Sequence, residues 1–296
     1  MSIVVGGGTG FVGKHFAKLG ISKGFKIINV SRTAKPNCIT WNDLSRSGLP
    51  DDCAAVVSLS GEPILQPFKW WTPEMKLKIR ESRIDKVKLL NQAICAAPKP
   101  PGVFVSISGV GYYKPDAHKE YTESDIVEPF DFLSEVTRDW EAAAVLPSNV
   151  KTRLVVVRSG VVLGNDGGMV ANIKTPFYFG LGGPIGSGKQ WLPWIYVEDT
   201  VGIIMHAIEN EHITGILNGT APNPVTSEEF TKAYASALRR PHLFPMPAFV
   251  AKAVFGAEAA GVLLEGQKVL PKRTLEMGYT FKYTDIKWVC EKLVSS

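Results

Sequence analysis

The residues best suited to chemistry lie at the start of the chain. Gly7, Gly10 and Gly13 form GxxGxxG within GGGTGFVG, with Thr9, Phe11 and Val12 between them. The three glycines suit three tasks: a tight turn, close approach of backbone to a pyrophosphate, and close packing of a helix on a strand. An apolar run over 2–5 precedes them and helical spacing resumes over 14–18, so the segment reads as strand, glycine turn, helix. Backbone N–H groups at such a helix start face an anion. Glycines alone would also suit a flexible loop; position, flanks and spacing together predict a dinucleotide site.

The second strand, predicted over 25–30 (FKIINV), ends in Ser31 and Arg32, with no carboxylate there. An NAD site needs Asp or Glu at this strand end to accept from the ribose 2'-hydroxyl. A hydroxyl beside a guanidinium instead matches the extra phosphate of NADP in charge and fork geometry. NADP(H) is therefore the expected nucleotide; a solvated loop cation is the other reading of Arg32. The third strand, predicted over 54–59, runs into Ser60-Gly61-Glu62-Pro63, so Ser58, Leu59 and Gly61 stand at the carboxyl edge of the sheet, where ligands bind. A plain strand-to-loop turn accounts for the same letters.

Strand-like FVSIS from Phe104 and RLVVV from Arg153 alternate with helical stretches over 83–97 and 135–145, the rhythm of a parallel sheet. Pro and Gly thicken over 175–193, and helical patterns over 227–238 and 248–255 replace the alternation. The expected fold is α/β, a Rossmann-type doubly wound parallel sheet. Residues 1–160 are read as the NADP-binding domain, and 161–296 as a mixed region that completes the sheet and forms a small C-terminal cap.

The motifs VVGGGTGFVG at Val4, SLSGEPI at Ser58, ESRIDKVKLL at Glu81, SISGVGYY at Ser106, DFLSEVTRDWEAAA at Asp131 and RSGVVLGNDGGM at Arg158 carry a resemblance. WLPWIYVEDTVGIIMHAI at Trp191, LNGTAPNPVTSEEF at Leu217 and LLEGQKVLPKRTLEMGYTFKY at Leu263 extend it over nearly the whole chain. Together they resemble the extended branch of the short-chain dehydrogenase/reductase superfamily, and specifically its atypical epimerase-like group. The resemblance implies a sheet of about seven parallel strands with a substrate cleft against the C-terminal segment. It also implies cofactor contacts from Glu62, Leu133 and Ser82, the last on the nicotinamide-side ribose; a helix N-cap would use Ser82 equally well.

Members of that superfamily use a Tyr as general acid and a Lys four residues later. On a helix this spacing puts both on one face, so the ammonium stabilises the phenolate. Leu133 and Thr137 occupy those positions here. Ser108 matches the superfamily's substrate-holding hydroxyl and is the one catalytic candidate, although local backbone bonding would satisfy it too. Tyr112 and Tyr113 are candidate substitute phenols, but without a positioned cation their pKa would stay high. The only Tyr-x-x-x-Lys, Tyr283 to Lys287, is read as surface structure.

Other chemistry is excluded. Gly183 to Gln190 comes within one residue of a Walker A loop, but Gln190 offers no hydroxyl and Pro193 stands where a helix should begin. The five histidines show no HExxH spacing, there is no GxSxG elbow, and no metal site is expected. The tryptophans Trp70, Trp71, Trp191 and Trp194 and the run Phe177 to Phe179 are read as core or cap packing.

The 296 residues are 45% hydrophobic, enough for a sizeable core, and carry 33 Lys and Arg against 28 Asp and Glu. Signs interleave, as over 74–88, so no nucleic-acid partner is expected, and no apolar run suggests a membrane partner. Cys38, Cys53, Cys95 and Cys290 lie far apart, fitting a reducing compartment. The chain reads as intracellular, most simply cytoplasmic, with an organellar address left open. Two functions follow: an NADP(H)-binding, epimerase-like oxidoreductase of unknown small-molecule substrate, or an NADPH-binding regulator that has lost proton transfer.

Overall fold

A computed structural model describes residues 1–35 and 38–295. Strand β1 (Ser2–Gly6) is buried along its whole length. Its side chains alternate: Ile3 and Val5 enter one apolar cluster, Val4 another on the opposite face. A strand apolar on both faces must lie inside a sheet covered on both sides. β2 (Lys26–Ser31), β3 (Cys38–Thr40), β4 (Cys53–Ser58), β5 (Val103–Gly109), β6 (Arg153–Ser159) and β7 (Gly215–Gly219) join it in parallel, in the order β7-β6-β5-β4-β1-β2-β3.

Helix α1 (Phe11–Ser22) and the later helix over Val197–Glu209 cover one face, contributing Phe16, Val201, Ile204 and Met205 to the core. On the other face lie α2 (Trp41–Ser47), a helix over Ile84–Ala96 and one over Phe132–Ala144, with Trp41, Leu90, Ile94 and Trp140 buried. The order reverses at β1, whose neighbours β2 and β4 continue in opposite directions across the sheet. A crevice therefore opens at the carboxyl ends of these strands.

The charged stretch after Glu74 is two helices, α3 (Pro73–Glu81) and α4 (Ile84–Ala96), broken at Ser82 and Arg83. Thr72 caps α3 and Pro73 fits its first turn. Beyond α5 (Phe132–Ala144), the region read as mixed contains two full helices, α6 (Gly168–Tyr178) and α7 (Val197–Glu209). With α8 (Ser227–Leu238) and the helix Ile286–Ser295, it builds a third cluster around Leu163, Phe177, Trp194, Tyr234, Tyr283 and Val289; α9 (Ala248–Phe255) stands outside that cluster. Short ladders tie this cap down, among them Asp116–Tyr121 with Gln267–Val269. Among the described residues no helix is long and apolar enough to cross a membrane.

Candidate functional site

The glycine turn sits at the reversal point. Gly7 has φ +79, and a Cβ there would come within 2.8 Å of the Leu59 carbonyl, so turn and strand crossing both demand glycine. A Cβ at Gly13 would stand 2.6 Å from the Gly8 backbone, which fixes how closely α1 approaches the turn. Gly10 differs: its nearest neighbour would be the Gly7 carbonyl at 3.3 Å, so protein packing asks little of it. Side chains of Thr40, Thr72, Asp131 and Thr226 cap α2, α3, α5 and α8, whereas Gly10 gives α1 no side-chain cap and no acidic residue follows in the first turn. The helix N-terminus, from Phe11 through Val12 to Gly13, thus keeps its N–H groups and partial positive charge for an outside anion. Thr9 is exposed at its mouth.

At the end of β2, Ser31 is buried and donates to the Thr33 carbonyl at 2.5 Å. Arg32 is exposed and forms no hydrogen bond or ion pair with any described residue. Next to the turn a groove of about 770 Å³ is lined by Gly8, Thr9, Lys14, Lys18, Asn29 and Lys35, and the buried Asn29 Oδ1 has no hydrogen-bond partner. The three lysines were missed in the sequence because an isolated lysine is the commonest of surface residues; only folding gathers them.

Across the crevice, Ser58 is buried and Ser60 half-buried, each with an enclosed, unpartnered hydroxyl, and the Leu59 N–H donates to Gly6. The Glu62 N–H donates to Ser82 Oγ at 2.9 Å, and Ser82 donates to the Ile79 carbonyl. Ser82 therefore closes α3 and holds the Glu62 loop. It does not cap α4, whose N-cap is Arg83 without a side-chain bond. Arg83 itself went unremarked in the sequence. Its guanidinium donates to the Glu62 and Ile79 carbonyls and lies 5.3 Å from the Trp140 ring, and it forms no ion pair with any described carboxylate. Burial depresses its pKa to about 10, although the Glu62 charge opposes this. A half-buried cation that makes no direct ion pair with any described carboxylate, beside a ligand crevice, is placed to meet an anion.

Ser108 ends β5 and is 3% exposed; its hydroxyl donates to Glu141 Oε1 at 2.8 Å. Glu141 is in turn gripped by Arg158, Nε and Nη2 each at 2.8 Å. Arg158 Nη1 donates to the Tyr113 hydroxyl at 3.0 Å, and that hydroxyl bonds to Asn218 on β7 at 2.9 Å. Burial disfavours the Arg158 charge, but its bonds to Glu141 outweigh this and hold the charge firmly. A cation does therefore stand beside the tyrosines, contrary to the sequence reading: Arg158 also lies 3.4 Å over the Tyr112 ring. It does not activate Tyr113, which is fully buried and whose phenol burial pushes up to about 12. Leu133 and Thr137 lie side by side against Gly111, the Thr137 hydroxyl donating to the Leu133 carbonyl, so neither supplies an acid.

Tyr283 is not surface structure. It is buried, donates to Glu198 at 2.7 Å, accepts from Lys292 at 2.9 Å and stacks on Trp288, while Lys287 is exposed. The segment over 183–190 leads into the strand Trp191–Leu192, not a helix. Among the described residues no three His, Cys, Asp or Glu gather to hold a metal.

These features define a Rossmann-type α/β protein of the extended short-chain dehydrogenase/reductase kind. The chain is 46% identical over 296 residues to the epimerase family protein SDR39U1 of Bos taurus, covering 100% of both. It matches the crystal structure of human epimerase family protein SDR39U1 (isoform 2) with NADPH at TM-score 0.97 and 45% identity, over 100% of this chain and 99% of that one. A nucleoside-diphosphate sugar epimerase of Corynebacterium glutamicum is similar at TM-score 0.80 and 29% identity, over 99% of this chain and 58% of the other. Residues 246–293 match a family model described as a domain of unknown function, DUF1731. The chain belongs to the epimerase family represented by SDR39U1.

Proposed function

We propose that this protein is an NADP(H)-binding, epimerase-like oxidoreductase for a small molecule. The observation that carries it is the pairing of an uncapped α1 N-terminus behind a steric glycine cradle with an exposed Arg32, unpaired among the described residues, where an NAD site would need a carboxylate. The human relative crystallised with NADPH supports the same reading. Gly7 to Gly13 would hold the pyrophosphate on backbone N–H groups, Ser31 and Arg32 the 2'-phosphate, and Leu59 the adenosine side through its backbone. Arg83 would meet negative charge arriving at the Glu62 loop. When bound, the nicotinamide supplies or accepts hydride.

A serine has one proton to donate, and Ser108 has committed it to Glu141, so toward a ligand it offers lone pairs. That suits a hydroxyl-bearing partner. The absence of an acid at Leu133 and Thr137 favours the second reading, a nucleotide-binding regulator without turnover. Thermal shift with NADPH and NADH, followed by NADPH absorbance across a panel of carbonyl compounds and NADP⁺ reduction across alcohols, tests both. Oxidoreductase action is supported by consumption that disappears in Ser108→Ala while the NADPH thermal shift persists. NADPH stabilisation with no turnover on either panel supports the regulator, and no stabilisation by NADPH overturns the nucleotide site itself.

A further inference from the structure

Two stretches of the cap, 167–197 and 230–257, contain neither Asp nor Glu in a chain that has 28 of them, yet include Lys174, Lys189, Lys232, Arg239, Arg240 and Lys252. They fold against each other. Arg240 Nε donates to the Tyr178 carbonyl at 2.8 Å, and its guanidinium lies 5.2 Å from the Tyr178 ring. The Met246 N–H donates to Pro184 and the Gly186 N–H to Met246, each at 2.9 Å. Arg239 ends α8 in a left-handed conformation, φ 54, which turns the chain outward.

This arrangement leaves large apolar side chains in water. In the run Phe177 to Phe179 only Phe177 is buried, against Tyr234; Tyr178 is exposed and Phe179 is 70% exposed. Leu181 and Phe244 are also exposed, Leu243 is 74% exposed, and Phe249 on α9 is 73% exposed. Soluble proteins rarely expose so many neighbouring apolar groups without a partner. The carboxylates at the ends of these stretches are engaged within the fold: Asp166 with His15 at 2.9 Å, Glu198 with Lys292 at 3.3 Å, Glu228 with Lys232 at 2.8 Å and Glu258 with Lys76 at 2.7 Å, while Glu229 caps α8 through Thr226.

We propose that this face docks on an anionic lipid surface, with the aromatic and leucine side chains at the headgroup boundary and the flanking arginines and lysines on lipid phosphates. Charge selects this occupant. A second copy related by a two-fold axis would set these cations against their own duplicates. The apolar groups stand at the end of α6, on the loops around Leu181 and Phe244, and on α9. Aromatic and aliphatic residues ringed by Lys and Arg are what an anionic interface retains. The inference is independent of the nucleotide reading.

Co-sedimentation of the full chain tests it, using vesicles of phosphatidylcholine alone and vesicles mixed in equal parts with phosphatidylglycerol. The protein is expected to pellet with the mixed vesicles and not with phosphatidylcholine. Phe244→Asp and the pair Arg239→Gln with Arg240→Gln are each expected to weaken binding about tenfold, with the thermal melting midpoint unchanged as the check on folding. If either variant fails that check, Leu243→Asp replaces it. Protein left in the supernatant with both vesicle types would overturn the proposal. So would variants that pellet like the parent, or light scattering showing a dimer that Phe244→Asp dissolves without any lipid binding.

Discussion

Arg32 and Arg158 carry the same charge in opposite circumstances. Arg158 is enclosed, locked to Glu141 by two bonds of 2.8 Å and stacked on Tyr112, so it organises Ser108, Tyr113 and Asn218 without reaching a ligand. Breaking a buried pair by removing one partner leaves an uncompensated charge. Glu141→Gln is therefore expected to cost about 3–5 kcal/mol in urea unfolding, and Glu141→Leu combined with Arg158→Met to recover much of it. An unchanged midpoint in Glu141→Gln would show that the pair contributes nothing. The place of Arg32 after β2 was legible in sequence because it depends only on register. The buried network was not, since Glu141, Arg158 and Asn218 lie on three separate elements and acquire a role only when the sheet brings them together. Ser108 was legible as a position, but its proton's commitment to Glu141 was not.

At the level of elements, α1 separates two kinds of glycine. Gly13→Ala drives a Cβ to 2.6 Å from the Gly8 backbone, so helix and turn must part; a loss of about 1–3 kcal/mol in the nucleotide-free protein is expected. Gly10→Ala meets only the Gly7 carbonyl at 3.3 Å. It should leave nucleotide-free stability within about 1 kcal/mol of the parent, since most of its cost is propensity, yet weaken NADPH binding sharply. Thermal melts with and without NADPH check both; equal behaviour of the two variants would remove the assignment of Gly10 to the ligand. Strand and helix existence could be read well here because β1 and β4 are nearly continuous apolar runs, β5 is rich in branched and aromatic residues, and α8 and α9 keep a clear helical period. The helix start at Arg83 could be read too, but not what holds the break there: Ser82 and Arg83 bond to the Glu62 loop, a tertiary contact with no local sequence signal. α6 was hidden by Gly168 and Pro176, which read as loop.

For the whole molecule, the cap is fastened to the sheet body at many points, among them the Gln267 amide on the Val110 carbonyl and Lys268 on Glu120. The Phe68 N–H donates to Val254 at 2.8 Å, Trp70 covers Gly256, and Lys76 pairs with Glu258 at 2.7 Å. Asp199, fully buried at the start of α7, accepts from Tyr279 and from the Lys282 and Tyr283 N–H groups. Asp199→Ala strands those donors and is expected to cost about 3 kcal/mol, lowering the melting midpoint and freeing residues 279–283 to proteolysis; resistance equal to the parent would refute the role. Composition signalled none of this, nor the carboxylate-free apolar face, because averages over 296 residues conceal where charges are absent.

The central claim is that Arg32 and the α1 N-terminus select a phosphorylated dinucleotide. Calorimetric titration of NADPH and NADH into the parent and Arg32→Asp tests it most directly. The parent is expected to prefer NADPH, and the variant to lose roughly 10–100-fold in NADPH affinity, the worth of about 1.5–3 kcal/mol for a charged hydrogen bond, with NADH affinity little changed. Equal affinity of the parent for both nucleotides, or equal losses for both in the variant, would contradict the account.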